Sequence, residues 1–498
     1  MFRSAIMISM KAVLTIEKMR DIDRNMIEKA GIPGSVLMEN AANAVALAAM
    51  EKLKPSGSRC VILIGPGNNG GDGLAVLRIL SAHGYSAVGI ILADPDKYSG
   101  DAAINYQTAR QLGLELTEDI ESVVGADVII DAVFGTGLCR EITGKHREAI
   151  LLANRQDAYR IAVDIPSGIN GDTGEIMGVV FHADLTVTMF ALKRGLLLTK
   201  ELEAVGSVRI AHIGIPTSDI LSSLEDEQLI DEAFVRSLLP KRRLVSNKGS
   251  YGRALIFAGS TSMPGAALMC ARAALRAGSG LTKACVPDDI VPFFSASPEI
   301  MVLSGSANSL NNQLDWATAI GIGCGMGNDP DRREKLRSVL LSGKPAVIDA
   351  DGLNTLDDEL KQLLNANHVL TPHPGEMARL TGLSVAAVLS DPVGTASAFS
   401  KQYGCCVVLK NAVSVIVSPD GKIRYNRSGN PGLAKGGSGD VLTGIITAFL
   451  ANGLSPFDAA SAGAFLLGST AETALSVLAE RALTATDIID LIGSDLNS

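Results

Sequence analysis

Aromatic side chains are scarce in this sequence: they make up 4% of 498 residues, with a single tryptophan. Its cores must therefore rest on alanine, valine, leucine and isoleucine. Charge is thin as well, at 19% against a usual ~25%. The 44 basic and 53 acidic residues leave a net charge of −9. An acidic chain is a poor partner for a phosphate backbone, which argues against nucleic-acid binding. No apolar run reaches the ~20 residues of a membrane span, so no membrane partner is expected. The seven cysteines are odd in number and irregular in spacing, and two of them, Cys405 and Cys406, are adjacent. That is neither a disulfide framework nor a zinc pattern, and a reducing cytoplasm is the simplest setting. The six histidines form no HExxH motif, and the Walker A pattern is missing, which excludes a P-loop enzyme. The first ten residues are apolar with one arginine but lack a full signal-peptide core. They read as a ragged start, with translation expected from Met7 or Met10.

What the chain has in excess is glycine, 51 residues, about a tenth against a usual ~7%. In an aliphatic, non-repetitive chain this points to tight turns and to backbone approaching a ligand. The length allows two to four domains. Helical spacing runs over 15–52, broken by the Gly31-Ile32-Pro33-Gly34 segment. Short apolar strands are expected at 60–64, 87–92, 127–130 and 160–163, with a helix at 74–83 and a helix end at 108–113. After an acidic, serine-containing stretch at 222–231 a second series begins, with strands at 254–258, 319–322, 346–348, 368–370 and 406–409. A hairpin is expected over 413–425. Continuous apolar strands alternating with helices mean α/β architecture with parallel sheets covered on both faces. A domain boundary is expected near 222–232.

The chemistry-bearing residues gather at strand ends. Gly65-Pro-Gly-Asn-Asn-Gly-Gly-Asp-Gly73 lies between a strand and a helix. Its backbone amides can cradle phosphate, and its Asn and Asp oxygens suit ribose hydroxyls or a hard cation. Asp131-Ala-Val-Phe-Gly-Thr-Gly137 and Asp164-Ile-Pro-Ser-Gly168 follow two further strands. Either aspartate alone could be a helix cap or turn former. Three such loops in one sheet point to a site. In the second half, Gly436-Gly-Ser-Gly439 opens a helix, where amides can hold a transferred phosphoryl group. Asp440 beside it can take a proton from an attacking hydroxyl. Thr371-Pro-His-Pro-Gly-Glu376 offers His373 or simply a stiff turn. The 349–354 strand end could supply metal ligands through water. Lys410, after a buried strand, either meets a nucleotide phosphate or is a solvated turn residue.

Taken together, these residues resemble a known family. GPGNNGGDG at 65–73, DAVFGTG at 131–137 and DIPSG at 164–168 look like the epimerase domain of the NAD(P)H-hydrate repair enzymes. MPGAA at 263–267, GCGMG at 323–327, DADGLN at 349–354, TPHPGE at 371–376 and NPGLAKGGSGD at 430–440 look like the matching dehydratase domain, which is similar to the ribokinase superfamily. The resemblance implies two three-layer α/β/α domains: a Rossmann-like epimerase at 13–222 and a ribokinase-like dehydratase at 228–495. It implies substrates NADHX and NADPHX, the hydrates of NADH and NADPH. The epimerase would interconvert their R and S forms, and the dehydratase would act on the S form, turning ADP into AMP. Carried over by motif, Asn68, Asn69, Gly70, Gly71 and Asp72 would line the hydrate. So would Gly135, Thr136, Gly137, Leu138, Cys139, Arg140, Glu141 and Asp164. Asn69, Asp131 and Ser167 would hold K+. Ala267, Gly325, His373 and Asp440 would contact the hydrate in the second domain. Lys410, Asn411, Ala412, Val413, Ser414 and Gly439 would contact the nucleotide, with Mg2+ bridging its phosphates. Asp440 and Asp164 are the expected catalytic carboxylates, with Lys193 a rival to Asp164. A homo-oligomer is the expected state. The remaining alternative is a small-molecule kinase of the ribokinase superfamily fused to a nucleotide-binding accessory domain.

Overall fold

The computed structural model describes residues 11–54, 57–215, 220, 224, 226–239, 242–304 and 310–493. The question of the start lies outside the described residues, as does part of the 222–232 stretch. The chain divides into two compact units, one spanning Lys11–Leu224 and one comprising the residues after it.

In the first unit seven parallel strands are ordered Leu116–Thr117, Ser86–Ile91, Arg59–Ile64, Val128–Ala132, Tyr159–Val163, Leu185–Met189 and Ser207–Ala211. The chain starts in the middle at Arg59–Ile64, winds outward, then returns and winds the other way. Ile62 accordingly pairs with Gly89 on one side and Ile130 on the other. The switch between these directions leaves a crevice at the carboxyl ends of Arg59–Ile64 and Val128–Ala132. Side-chain alternation sends Cys60, Ile62 and Ile64 into one core cluster and Val61 and Leu63 into another, so both faces are buried. Separately, Lys11–Leu14 pairs in parallel with Leu192–Lys193, which fixes the position of Lys193.

Two local expectations are corrected. The helix expected from residue 74 begins at Asn68 and runs to Ala82. The glycines of 65–73 therefore lie largely within its first turns. A Cβ at Gly70 would fall 2.0 Å from the Gly65 carbonyl oxygen, and one at Gly73 would fall 2.6 Å from Ala132 Cβ. These glycines let the helix press against the strand ends; the turn itself is confined to Gly65–Gly67. Asp131, expected to end its strand, lies inside Val128–Ala132 and is buried there.

In the second unit ten strands follow in the order Met301–Ser304, Leu281–Val286, Arg253–Phe257, Ala319–Ile322, Ala346–Ile348, His368–Leu370, Cys406–Leu409, Ser414–Val417, Ile423–Asn426 and Glu227–Leu229. The run is parallel as far as Cys406–Leu409 and then turns antiparallel through the hairpin, where Val415 faces Tyr425. Four strands lie where the apolar pattern puts them: Ala319–Ile322, Ala346–Ile348, His368–Leu370 and Cys406–Leu409. Helix Ser438–Ala451 is buried at every position from Val441 onward, as a helix apolar all round must be. It packs on Pro264–Arg276 through small residues. A Cβ at Gly444 would lie 2.2 Å from the Cys270 carbonyl oxygen.

Candidate active sites

A cavity of about 920 Å3 opens at the switch point of the first sheet. Asn68, Asn69 and Asp72 reach it from the start of helix Asn68–Ala82. Gly135, Thr136, Gly137, Leu138, Cys139, Arg140 and Glu141 line it from the loop after Val128–Ala132, and Asp164 and Lys193 complete the wall. Gly70 and Gly71 are buried behind it, packed as helix glycines.

The chemical centre of this cavity is an ion pair. Lys193 is fully buried, and its ammonium donates to Asp164 Oδ1 at 2.5 Å, the Met189 carbonyl at 2.7 Å and Thr188 Oγ1 at 3.1 Å. Three acceptors exhaust the donors of an ammonium. Lys193 is thus committed to holding Asp164. Asp164 also has φ of 67°, a left-handed conformation that costs a non-glycine residue about 1–3 kcal/mol and is retained where surroundings impose it. Around this pair, burial pushes Asp23 up to about 6 and holds Asp72 well above the usual carboxylate range.

Asp131 lies below the cavity wall. Its carboxylate accepts from Ser167 Oγ and Ser167 N, both at 2.7 Å, and from Val133 N at 3.1 Å. Burial outweighs these bonds and pushes it up to about 6. The Asn69 amide nitrogen is buried without a hydrogen-bond partner. The Asp131 carboxylate, the Ser167 hydroxyl and the Asn69 side-chain carbonyl are oxygen donors of the kind a singly charged cation takes, whereas the unpartnered Asn69 nitrogen donates and cannot ligate one. Among the described residues no cluster of three or more His, Cys, Asp or Glu side chains is placed to hold a metal ion.

In the second unit the helix that begins at Ser438 is preceded by Gly437, at φ of 99°. A Cβ at Gly439 would sit 3.3 Å from Asp349 Oδ2 and 3.5 Å from Lys410 Nζ. The helix start, Asp349 and Lys410 therefore converge. Lys410 donates to Asp349 Oδ1 at 2.9 Å, and Thr443 Oγ1 donates to Asp349 Oδ2 at 2.9 Å. Lys410 is thus anchored, not a free turn residue. Asp440, next to Gly439, is pushed up to about 6, chiefly by burial; the Cys324 thiol opposes this and Asp349 adds to it. Strain recurs beside this site, with Ala350 at φ of 46°. Gly325 is required by both φ of 60° and a Cβ position 2.6 Å from Ala266 Cβ.

His373 caps helix Pro374–Thr381: its Nδ1 accepts from Gly375 N and Glu376 N, and its Nε2 lies 3.6 Å from Glu376 Oε2. Ala267 is fully buried in the core under the site and offers it no surface. Asn411 and Ala412 are exposed, Ser414 is half-buried and Val413 is buried, on the turn that follows Lys410.

Sequence reasoning missed Arg20 and Asp23. Met19, Asp23 and Ile27 stand four residues apart on helix Ile16–Glu28 and all line the cavity. One carboxylate on an otherwise apolar helical stripe was the available signal. It also missed the pairing of Lys410 with Asp349 and the bond from Thr443, which join distant parts of the chain.

Comparison with known proteins gives two successive family matches. A family described as YjeF-related protein N-terminus matches residues 34–195, and one described as NAD(P)H-hydrate dehydratase matches 254–493. The chain is 35% identical to the bifunctional NAD(P)H-hydrate repair enzyme Nnr of Moorella thermoacetica, covering 96% of both chains. It is 36% identical to the protein of the same name from Escherichia coli, covering 96% of this chain and 93% of that one. Among solved structures, a ribokinase-like superfamily protein from Enterococcus faecalis matches 55% of this chain and 96% of its own, at 24% identity and a TM-score of 0.50, a likeness of fold.

Proposed function

The chain belongs to the family of bifunctional NAD(P)H-hydrate repair enzymes, and from that premise we propose how its two units divide the work. It is an isomerase and a lyase: it interconverts the R and S hydrates of NADH and NADPH at C6 and returns the S form to the reduced dinucleotide at the expense of a nucleotide. We assign the first activity to residues 13–222 and the second to 228–495.

In the first unit Asp164 moves the protons that inversion at C6 requires, and Lys193 positions it. The loops that carry Asn68, Asn69, Asp72 and 135–141 hold the hydrate. Asn69, Asp131 and Ser167 would hold potassium, which would supply positive charge against the buried Asp131 carboxylate.

In the second unit Asp440 takes the proton from the C6 hydroxyl as its oxygen attacks the terminal phosphorus of ADP. The amides of Gly436–Gly439 hold the transferring phosphoryl group, and AMP departs. The ring nitrogen then pushes out phosphate with the C6–O electron pair, and loss of a C5 proton forms the C5–C6 double bond. Lys410, the 411–414 turn and Gly439 meet the nucleotide, His373 and Gly325 the hydrate. Magnesium would accompany the nucleotide and offset phosphate charge. The seven unpaired cysteines support a cytoplasmic setting.

The observation that carries this reading is the convergence of Lys410, Asp349 and Asp440 on one helix start. It is tested by incubating the full chain with mixed R and S hydrates. ADP should restore the near-ultraviolet absorbance of the reduced ring, with one AMP formed per ring restored. Restoration without any nucleotide would overturn the dehydratase assignment.

A further inference from the structure

One carboxyl group facing the first cavity has no part in the scheme above. Asp23 lies on helix Ile16–Glu28, outside the 34–195 family match, and faces the cavity with Met19 and Ile27. Arg20, one turn away, donates to the Thr136 carbonyl at 3.0 Å and ties this helix to the 135–141 loop. Asp23 itself makes no hydrogen bond or ion pair with any described residue. It faces Lys193 and Asp164, and Asp72 feels the charge of all three. Three carboxyl groups and one ammonium thus line the same cavity, and that ammonium is committed to Asp164. Burial holds both Asp23 and Asp72 toward their protonated forms, so the cavity wall retains a proton beside Asp164. Burial leaves Asp23 at about 6, close to ambient pH, where a group both gives and regains a proton readily. Asp72, held well above its usual range, gives its proton up reluctantly.

We propose that Asp23 is the acid of the epimerase, protonating the C6 hydroxyl of the hydrate while Asp164 serves as the base. This rests on reading the first cavity as the epimerase site. The C6–O bond breaks, and its electron pair leaves with the oxygen, which takes the Asp23 proton and departs as water. The N1 lone pair forms a C6=N1 bond in its place. A water then adds to the other face: its oxygen forms the new C6–O bond, its proton passes to Asp164, and the C6=N1 pair returns to N1. Exchange with solvent resets both carboxyls.

Other titratable groups share the cavity. Arg20 lies on the same helix, and Asp72, Asp101, Asp164 and Lys193 come from neighbouring elements. The 135–146 segment adds Arg140, Glu141 and His146, the last lowered by burial. All are common to the variants compared below.

The experiment uses the full chain without nucleotide, pure S hydrate of NADH, and chromatographic separation of the two epimers. Dehydration of the S form with ADP serves as the control for the second unit, and the thermal midpoint of each variant as the control for folding of the first. Wild type should lose epimerase kcat as pH rises through the Asp23 titration, because the protonated form is the donor. Asp23→Asn should lower kcat ~10²-fold or more with KM little changed, and should abolish that alkaline decline. Asp23→Glu should recover most of the rate and the decline. An unchanged rate in Asp23→Asn would overturn the proposal. So would equal losses in both variants with the wild-type pH profile retained, because that marks a supporting role for the helix. A wild-type protein that does not interconvert the epimers would sink the epimerase reading itself, a separate result.

Discussion

Asp440 and Lys193 show two ways in which a buried charge is used. Asp440 is raised from 3.8 to about 6, mainly by burial, so the folded chain binds its proton more readily than the unfolded chain does. Its ionisation therefore weighs against the fold above about pH 6, and the penalty is relieved as pH falls through that value. As a base it must be ionised, so dehydration kcat/KM should fall as pH drops through about 6. Asp440→Asn should slow dehydration by ~10²–10⁴, leave epimerisation intact and melt no lower than wild type at pH 8. Near-normal dehydration in that variant would reject the kinase-like step. Lys193 is the opposite case, a fully buried ammonium whose removal strands the Asp164 carboxylate. Lys193→Met should destabilise the first unit by about 3–5 kcal/mol, measured by denaturant unfolding. A loss of activity without loss of stability would instead make Lys193 a reacting group.

Among the elements, the helix Asn68–Ala82 is where the sequence was least transparent. Gly70, Gly71 and Gly73 look like loop residues because glycine disfavours helices by about 1 kcal/mol each. Contact with Gly65, Met38 and Ala132 overrides that preference. Gly73→Ala should cost about 1–3 kcal/mol by overpacking against Ala132 and lower epimerisation. An unchanged thermal midpoint would show that the strand end can yield. The loops at Asp131 and Asp164 pointed to a site only together with the 65–73 loop, since either aspartate alone could be a turn former, and Asp131 proves to lie inside its strand. The choice between Asp164 and Lys193 was not legible: it turns on three acceptors contributed by residues 164, 188 and 189. The Lys410–Asp349 bond spans 61 positions, and no local pattern reports a partner at that distance. Asp23 was hidden for a different reason, standing among the charged neighbours of an ordinary amphipathic helix.

For the whole molecule, the division into two compact units predicts kinetics that neither site shows alone. With ADP and an R/S mixture, wild type should repair all the hydrate in one smooth phase. Asp164→Asn should repair the S fraction at the normal rate and then slow to uncatalysed epimerisation. A single complete phase in this variant would remove Asp164 from the mechanism. The net charge of −9 sets up no broad field for a polyanion. On the proposed reading, capture of nucleotide falls to local amides and to Lys410, which is paired with Asp349. Helix Ser438–Ala451 carries one more implication. Its first turn bears Gly439 and Asp440, while everything from Val441 onward is core. The proposed chemistry and the packing are thus written on consecutive residues, joined by Thr443, which is buried in the core and donates to Asp349. A lineage released from selection for repair would lose the first turn and keep the rest, leaving a folded, silent descendant that still looks like a member of its family.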